Sequence, residues 1–396
     1  MTTYAGALVG LSLGAALTAH ALSWKARTHL SPPRLHVQGH LLVNRAGRPV
    51  LLHGVNRSGT EYACIQNTGI FDGPSNAASV GAMAAWHVNA VRLPLNEDCW
   101  LNVNTRGIDR RYVGARYRRA IVRYVRLLNR YGMDVLVNLH WSGPGKLRAL
   151  GQQPMADADH TPAFWRSVAA TFRKNPFVLF DLYNEPYPDA DRDTARAWYC
   201  WLHGGQGHEA GSKRVCPGVT YYNAAGRDTR RTYRAVGMQS LINVVRRAGA
   251  RQVLVADGVS YADSLSGWLT HRLHDPLHNL AAGWHPYNFN ICGDSVHCWK
   301  RHVAPVTHRV PLIAGELGED DCSGRYINRV MSWLDRHQAS YLAWTWDTWY
   351  GDRCRPNLGP DGDISVISSY SGKPYPGMGV AYKRHLACLA RRTATC

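Results

Sequence analysis

The feature that most constrains this chain is a repeat of eight short apolar runs, most of them separated by stretches of longer period. They are "VLLHGVN" (50–56), "VNAVRLPL" (88–95), "DVLVNLHW" (134–141), "FVLFDLYNEP" (177–186), "QVLVADG" (252–258), "LAAGWHPYN" (280–288), "VPLIAGELG" (310–318) and "YLAWTWDT" (341–348). Runs of this length that stay apolar almost throughout read as strands covered on both faces, the habit of parallel sheets. Between several of them the period becomes helical. In "RRYVGARYRRAIVRYVRLLNRYG" the residues Val113, Tyr117, Ile121, Tyr124, Val125 and Leu128 form one stripe with arginine around it. Further helices are expected at 76–86, at 231–249 ending at Gly249, at 325–338, and at 161–174 with Thr161 as N-cap and Pro162 as first helical residue. Strands alternating with helices in this number predict an α/β fold, a (β/α)8 TIM barrel. A doubly wound open sheet is the alternative. The strand count and the lack of a GxGxxG turn after the first strand speak against it. Ahead of the barrel, "LHVQGHLLVNRAGRPVLLHGVN" reads as a β-hairpin turning at Asn44–Gly47.

The first residues bear on compartment. "YAGALVGLSLGAALTAHA" is apolar, rich in small residues, and ends in Ala19-His20-Ala21, a pattern for signal-peptide cleavage after residue 21. No Lys or Arg precedes it, and an uncleaved anchor is the alternative, because Ala5 to Trp24 nearly matches a bilayer. Residues 22–34, with Ser31, Pro32 and Pro33, read as a linker, and 35–396 as one folded domain. The ten cysteines all lie beyond the apolar segment. An even set in an exported chain reads as disulfides stapling loops. Their spacing suggests local pairs: Cys64–Cys99, Cys200–Cys216, Cys292–Cys298, Cys322–Cys354 and Cys388–Cys396. A secreted, extracellular protein is expected.

The formal net charge is +18. Its arginines are spread over helical faces, which reads first as solvated surface and second as loose attraction to anionic polymers or lipid headgroups. No basic-aromatic motif points to specific nucleic-acid binding. No CxxC set points to a metal. "HRLHDPLH" brings His271, His274 and His278 close in sequence, but Pro276 breaks any helix that would align them. No metal and no cofactor are expected, and the chain is expected to be a monomer. The balance of 14 Trp and 20 Tyr against 6 Phe favours side chains with an apolar face and a polar edge, which suit flat polar ligands such as sugars.

The strand ends carry the chemistry. In a barrel of this kind ligands meet the C-terminal ends of the strands. Here these ends offer His53 and Asn56; Arg92; His140 and Trp141; Asn184 and Glu185; Asp257; His285 and Tyr287; Glu316; Trp344 and Trp346. Structural turns would supply Gly, Asn and Asp instead. Glu185 and Glu316 close the fourth and seventh strands, and paired carboxyls are what glycosidic cleavage needs.

These residues carry a resemblance. "HGVN", "VRLPL", "VNLHW", "LYNEP", "WHPYN", "AGELG" and "AWTWDTW" stand in the order found in glycoside hydrolase family 5, the cellulase and mannanase family of retaining (β/α)8 glycosidases, over about residues 35–350. The resemblance implies that 35–396 is a catalytic domain acting on a β-linked polysaccharide or oligosaccharide. It makes Glu185 the acid/base and Glu316 the nucleophile. It implies that Arg92 and Tyr287 contact Glu316, that His285 orients the acid/base, and that Asn184 binds a sugar 2-hydroxyl. His140 would line the cleavage subsite, Trp346 would be the stacking platform, and Trp141 would do similar work. A secreted β-1,4-glucanase of cellulase type is the expectation. The same chemistry on mannan, xylan or mixed-linkage glucan, or a non-catalytic carbohydrate-binding barrel, are the alternatives.

Overall fold

The computed structural model describes residues 31–206, 216, 220–222, 228–321, 323–348 and 364–391. Eight strands close into a barrel in chain order: β1 (His53–Asn56), β2 (Ala90–Asn96), β3 (Asp134–Trp141), β4 (Val178–Asp181), β5 (Leu254–Asp257), β6 (Leu280–Trp284), β7 (Leu312–Leu317) and β8 (Ser340–Ala343). Every neighbouring pair is parallel, including β8 with β1. Each expected run supplies one strand: 134–141 is kept whole, β2 and β8 each reach one residue outside their runs, and the other runs are trimmed. Around the barrel lie α1 (Ala77–Ala85), α2 (Ala115–Arg130), α3 (Thr161–Phe172), α4 (Ala195–His203), α5 (Met238–Arg247), α6 (Arg325–Arg336) and α7 (Met378–Ala390). The fold is a (β/α)8 barrel.

Alternation along the strands builds the interior in layers. Leu52, Ala90, Leu136, Leu179, Val255, Ala281, Ile313 and Leu342 form an apolar floor inside the barrel. Two residues further along, the same face becomes polar at Arg92, Asn138, Asp181 and Asp257, and on β1 at Asn56, four residues beyond Leu52, all fully buried. The outward positions, among them Val91, Leu93, Val135 and Val137, join the helices in the larger core. There the stripe of α2 packs as expected, with Tyr117, Ile121, Tyr124, Val125 and Leu128 buried, while Arg116, Arg119, Arg123, Arg126 and Arg130 face solvent.

The N-terminal hairpin plugs the floor. It pairs His36–Gln38 with Leu41–Val43 around a tight turn at Gly39–His40, ahead of the expected one. The Asn44–Gly47 turn also forms, closed by the Asn44 side chain on the amides of Ala46 and Arg48. Leu35, Val37 and Val50 then lie against the floor cluster.

Two helix expectations need correction. His160, not Thr161, is the N-cap of α3; the Thr161 hydroxyl donates instead to the carboxylates of Glu97 and Asp157. The helix expected from 231 begins only at Met238, because Arg234–Val236 pairs as a strand with Gly204–Gln206. Ladder pairing with the long insertion outcompetes local helix propensity there.

Disulfides join Cys64–Cys99, Cys200–Cys216 and Cys292–Cys298, and Cys388 is also disulfide-bonded. Cys322, Cys354 and Cys396, the first 30 residues and the proposed cleavage site lie outside the described residues. Among the described residues no helix is long and apolar enough to cross a membrane. The Cys64–Cys99 bridge, at a sequence separation of 35, ties the segment after β1 to the short helix Glu97–Leu101 that follows β2. Replacing both cysteines by serine is expected to lower unfolding free energy by about 2–4 kcal/mol, read from the denaturant midpoint.

Candidate active site

Arg92 is the hub of the barrel mouth. Its Nε donates to Asp181 Oδ2 at 2.6 Å, Nη1 to Glu316 Oε1 at 2.6 Å and to Asn56 Oδ1 at 3.1 Å, and Nη2 to Asn184 Oδ1 at 2.7 Å. Burial works against its charge, but Asp181, Glu316 and Asp257 outweigh it and hold the guanidinium pKa above its ordinary value. The planar fork of arginine suits this several-sided task, which a lysine point charge cannot copy.

Glu316 faces the same mouth from β7. Strict alternation would turn Gly315 inward and Glu316 outward. The register shifts between Ala314 and Leu317, and this irregularity lets both face the site. Gly315 leaves room: a Cβ there would stand 3.0 Å from His285 Nε2. The second Glu316 oxygen accepts from Tyr287 Oη at 2.7 Å. Burial pushes the Glu316 carboxyl up, and Glu185 adds to this; His285, Arg92 and the Tyr287 hydroxyl pull it down, with a net rise.

Glu185 lies four residues beyond the end of β4, not within the strand as the run suggested. Its φ of 48° is in the left-handed region, seldom used by residues with a side chain. The Asn184 amide still bonds to Leu139 O, which holds the segment against β3. Glu185 Oε1 lies 2.9 Å from His285 Nδ1, and Oε2 accepts from Gln152 Nε2 at 2.9 Å. One oxygen of each glutamate and a ring nitrogen of His285 lie within 4.8 Å of one another. Burial lowers the His285 pKa to about 4, so the ring is neutral at neutral pH.

A family model described as cellulase, glycosyl hydrolase family 5, matches residues 43–349. The chain belongs to glycosyl hydrolase family 5. It is therefore a glycosidase, acting on O-glycosyl bonds. A search of the curated proteins returns no match. Among solved structures it is similar to a β-glucanase from Saccharophagus degradans seen with cellotetraose (TM-score 0.61, 19% identity, covering 92% of this chain and 95% of that one). It is also similar to a hyperthermophilic endocellulase from the archaeon Pyrococcus horikoshii (TM-score 0.63, 16% identity, covering 90% and 100%).

Within this family 5 glycosidase, the mouth brings together Arg92, Asn184, Glu185, His285, Tyr287 and Glu316. His140 is there too: its Nδ1 contacts Asn138 Oδ1 at 3.0 Å, and its ring stacks on Trp344 with centroids 5.4 Å apart and 7° between planes. Trp141 is half-buried beside Tyr62, at 6.1 Å. The expected platform is corrected. Trp346 is fully buried and packs edge-on against Trp86 at 4.9 Å, whereas the half-exposed Trp344 takes the cleft position. His53 is corrected as well: it starts β1 and packs on Tyr341 at 4.6 Å, away from the mouth. Sequence reasoning missed Gln152 and Asp181. Gln152 sits in a loop without periodicity, and Asp181 read as the middle of a longer strand. The contrast between the tryptophans is testable. Trp346→Ala is expected to cost about 3–5 kcal/mol of stability, as for large core truncations. Trp344→Ala is expected to leave the thermal midpoint nearly unchanged while raising KM for oligosaccharides.

Proposed function

We propose that this family 5 glycosidase is a secreted retaining endo-β-1,4-glucanase, with Glu316 as nucleophile and Glu185 as acid/base. The observation that carries the reading is the facing pair of glutamates, with an oxygen of each within 4.8 Å of the other. Retaining pairs hold their carboxyls about 5–5.5 Å apart, and inverting pairs about 6.5–9.5 Å, to admit a water. Glu316, held by Arg92 and Tyr287, attacks the anomeric carbon while Glu185 protonates the departing oxygen. Glu185 then takes a proton from the water that releases the sugar. Asn184 offers its Nδ2, which has no hydrogen-bond partner among the described residues, to a sugar hydroxyl. The Trp344 face beside His140 supports stacking of a pyranose ring.

The β-1,4-glucan assignment draws support from similar structures described as a β-glucanase with cellotetraose and as an endocellulase. Secretion draws support from the apolar first residues and from the disulfides. We take 35–396 as one catalytic unit working as a monomer; α7 bonds back to the barrel through Tyr382 Oη on Gly54 O.

Product analysis on β-1,4-glucan, mannan, xylan and mixed-linkage glucan tests the substrate. Release of cello-oligosaccharides from internal cleavage of β-1,4-glucan is expected, and faster release from mannan or xylan would overturn the choice. Glu316→Gln is expected to abolish covalent trapping by a 2-fluoro glycoside and to lower kcat by at least about a thousandfold, as losing a nucleophile does. A pH test follows from the electrostatics. Glu316 attacks only when ionised, so its raised pKa sets an acid limb of kcat/KM above the ordinary glutamate value. Tyr287→Phe removes a hydrogen bond that favours the ionised form, so that limb is expected to move to higher pH.

A further inference from the structure

The charge count beneath the two glutamates does not close as drawn. Arg92 is one buried cation, and three buried carboxyls surround it. Asp181 and Glu316 each take a bond of 2.6 Å, while Asp257 Oδ2 is 3.7 Å from Nη2. Neither oxygen of Asp257 has a hydrogen-bond partner, although the residue is fully buried at the end of β5. An isolated buried carboxylate is costly and neutralises instead. Asp257 is thus the carboxyl of the three that holds a proton. A second orphan lies next to it: His285 Nε2 also lacks a partner, and stands 3.5 Å from Asp257 Oδ2. The two atoms are not hydrogen-bonded at that separation, and a small approach with a proton between them would satisfy both. The packing aims the carboxyl there, because a Cβ on Gly283 of the adjoining strand would overlap Asp257 Oδ1 at 1.6 Å. The opposite ring nitrogen, Nδ1, is the one that touches Glu185.

We propose that Asp257 is a positioning residue for the acid/base step: through the His285 ring it shares one proton with Glu185, and so sets how firmly Glu185 holds it. The inference rests on the role given to Glu185 above. In one arrangement the Asp257 hydroxyl donates to Nε2, and Nδ1–H donates to an ionised Glu185. In the other, two protons have shifted along the line. The Nδ1 proton sits on Glu185, the Asp257 proton sits on Nε2, and Asp257 is ionised toward Arg92. The ring is neutral in both, and no charge leaves the site.

The groups facing this line are Asp181 from β4, Arg92 from β2, Glu316 from β7 and His140 from β3. Burial and Asp181 push Asp257 well above the usual carboxyl range, and Glu316 and Glu185 push the same way against Arg92. The sign of the effect follows. Losing the shared proton leaves two anions on one neutral ring, which is costly, so Asp257 raises the pH at which Glu185 gives up its proton. Once Glu316 carries a sugar ester, Arg92 has lost one anionic partner and can take up an ionised Asp257 in its place.

Asp257→Asn keeps the shape and removes the charge. On cello-oligosaccharides it is expected to lower the basic limb of kcat/KM by about one pH unit or more. It is expected to cut kcat at the wild-type optimum about tenfold, within the range of general acid catalysis. On a dinitrophenyl cellobioside, whose leaving group needs no proton, the glycosylation rate is expected to hold. Asp257→Ser serves equally if asparagine disturbs folding. Equal losses on both substrates with an unmoved basic limb would reduce Asp257 to a packing residue. Nitrogen-15 spectra of labelled histidine give a readout independent of turnover: the pH at which the His285 ring-nitrogen signals shift is expected to fall in Asp257→Asn, in step with the basic limb, and an unmoved transition overturns the proposal. If the wild type hydrolyses neither substrate, the β-1,4-glucanase reading falls, and the nitrogen spectra alone decide this one.

Discussion

The barrel mouth depends on one buried guanidinium. Arg92 of β2 reaches Asn56, Asp181, Asn184 and Glu316, so β1, β7 and β4 with its exit meet on a single side chain. A buried cation is justified only if its surroundings compensate its desolvation, and here they do so with carboxylates. The dependence is mutual. Without Arg92, three carboxyls would share a dry pocket with no cation, and Glu316 would be driven further toward its neutral form. The carboxylates in turn keep the arginine charged and its fork fixed in plane.

That arrangement needs a scaffold that is apolar below and polar above. The floor of Leu, Ile, Val and Ala side chains, sealed by the N-terminal hairpin, excludes water from one end of the barrel. The polar layer begins two residues later on the same strands. Low polarisability beneath the site strengthens each charge interaction above it. The same dryness keeps His285 neutral, since burial lowers its pKa to about 4. A neutral ring has one nitrogen that donates and one that accepts, and this makes the ring able to pass on a hydrogen-bond direction from Asp257 to Glu185.

Much of this was legible in the residues. Buried parallel strands require near-continuous apolar runs, so all eight barrel strands announced themselves. Polar residues at the ends of such runs are anomalous enough to mark Arg92, His140, Asn184, Glu185, His285, Tyr287 and Glu316, all of which meet at the mouth. Where the reading failed, a nonlocal contact had overruled a local preference. Thr161 is a good N-cap type, yet its hydroxyl is used by two buried carboxyls. His53 stands near a strand end in sequence, yet it opens β1 and packs against Tyr341. Gln152 reaches Glu185 from a loop whose sequence has no period to read.

The sequence by itself determined the fold class, the order of the strands and the pair of glutamates, because burial on both faces and chemistry at strand exits each leave a mark in residue type. The tertiary structure alone decided which side chains aim into the cleft. Trp344 and Trp346 are two apart and look equivalent as long as the chain is a strand. Strand β8 ends at Ala343, alternation lapses there, and one ring turns to the cleft while the other enters the core. Glu316 is the converse case, a residue of the wrong parity brought inward by a register shift in β7. Period-two patterning fixes direction only where the ladder is regular, and at this mouth the ladder is irregular where the chemistry sits.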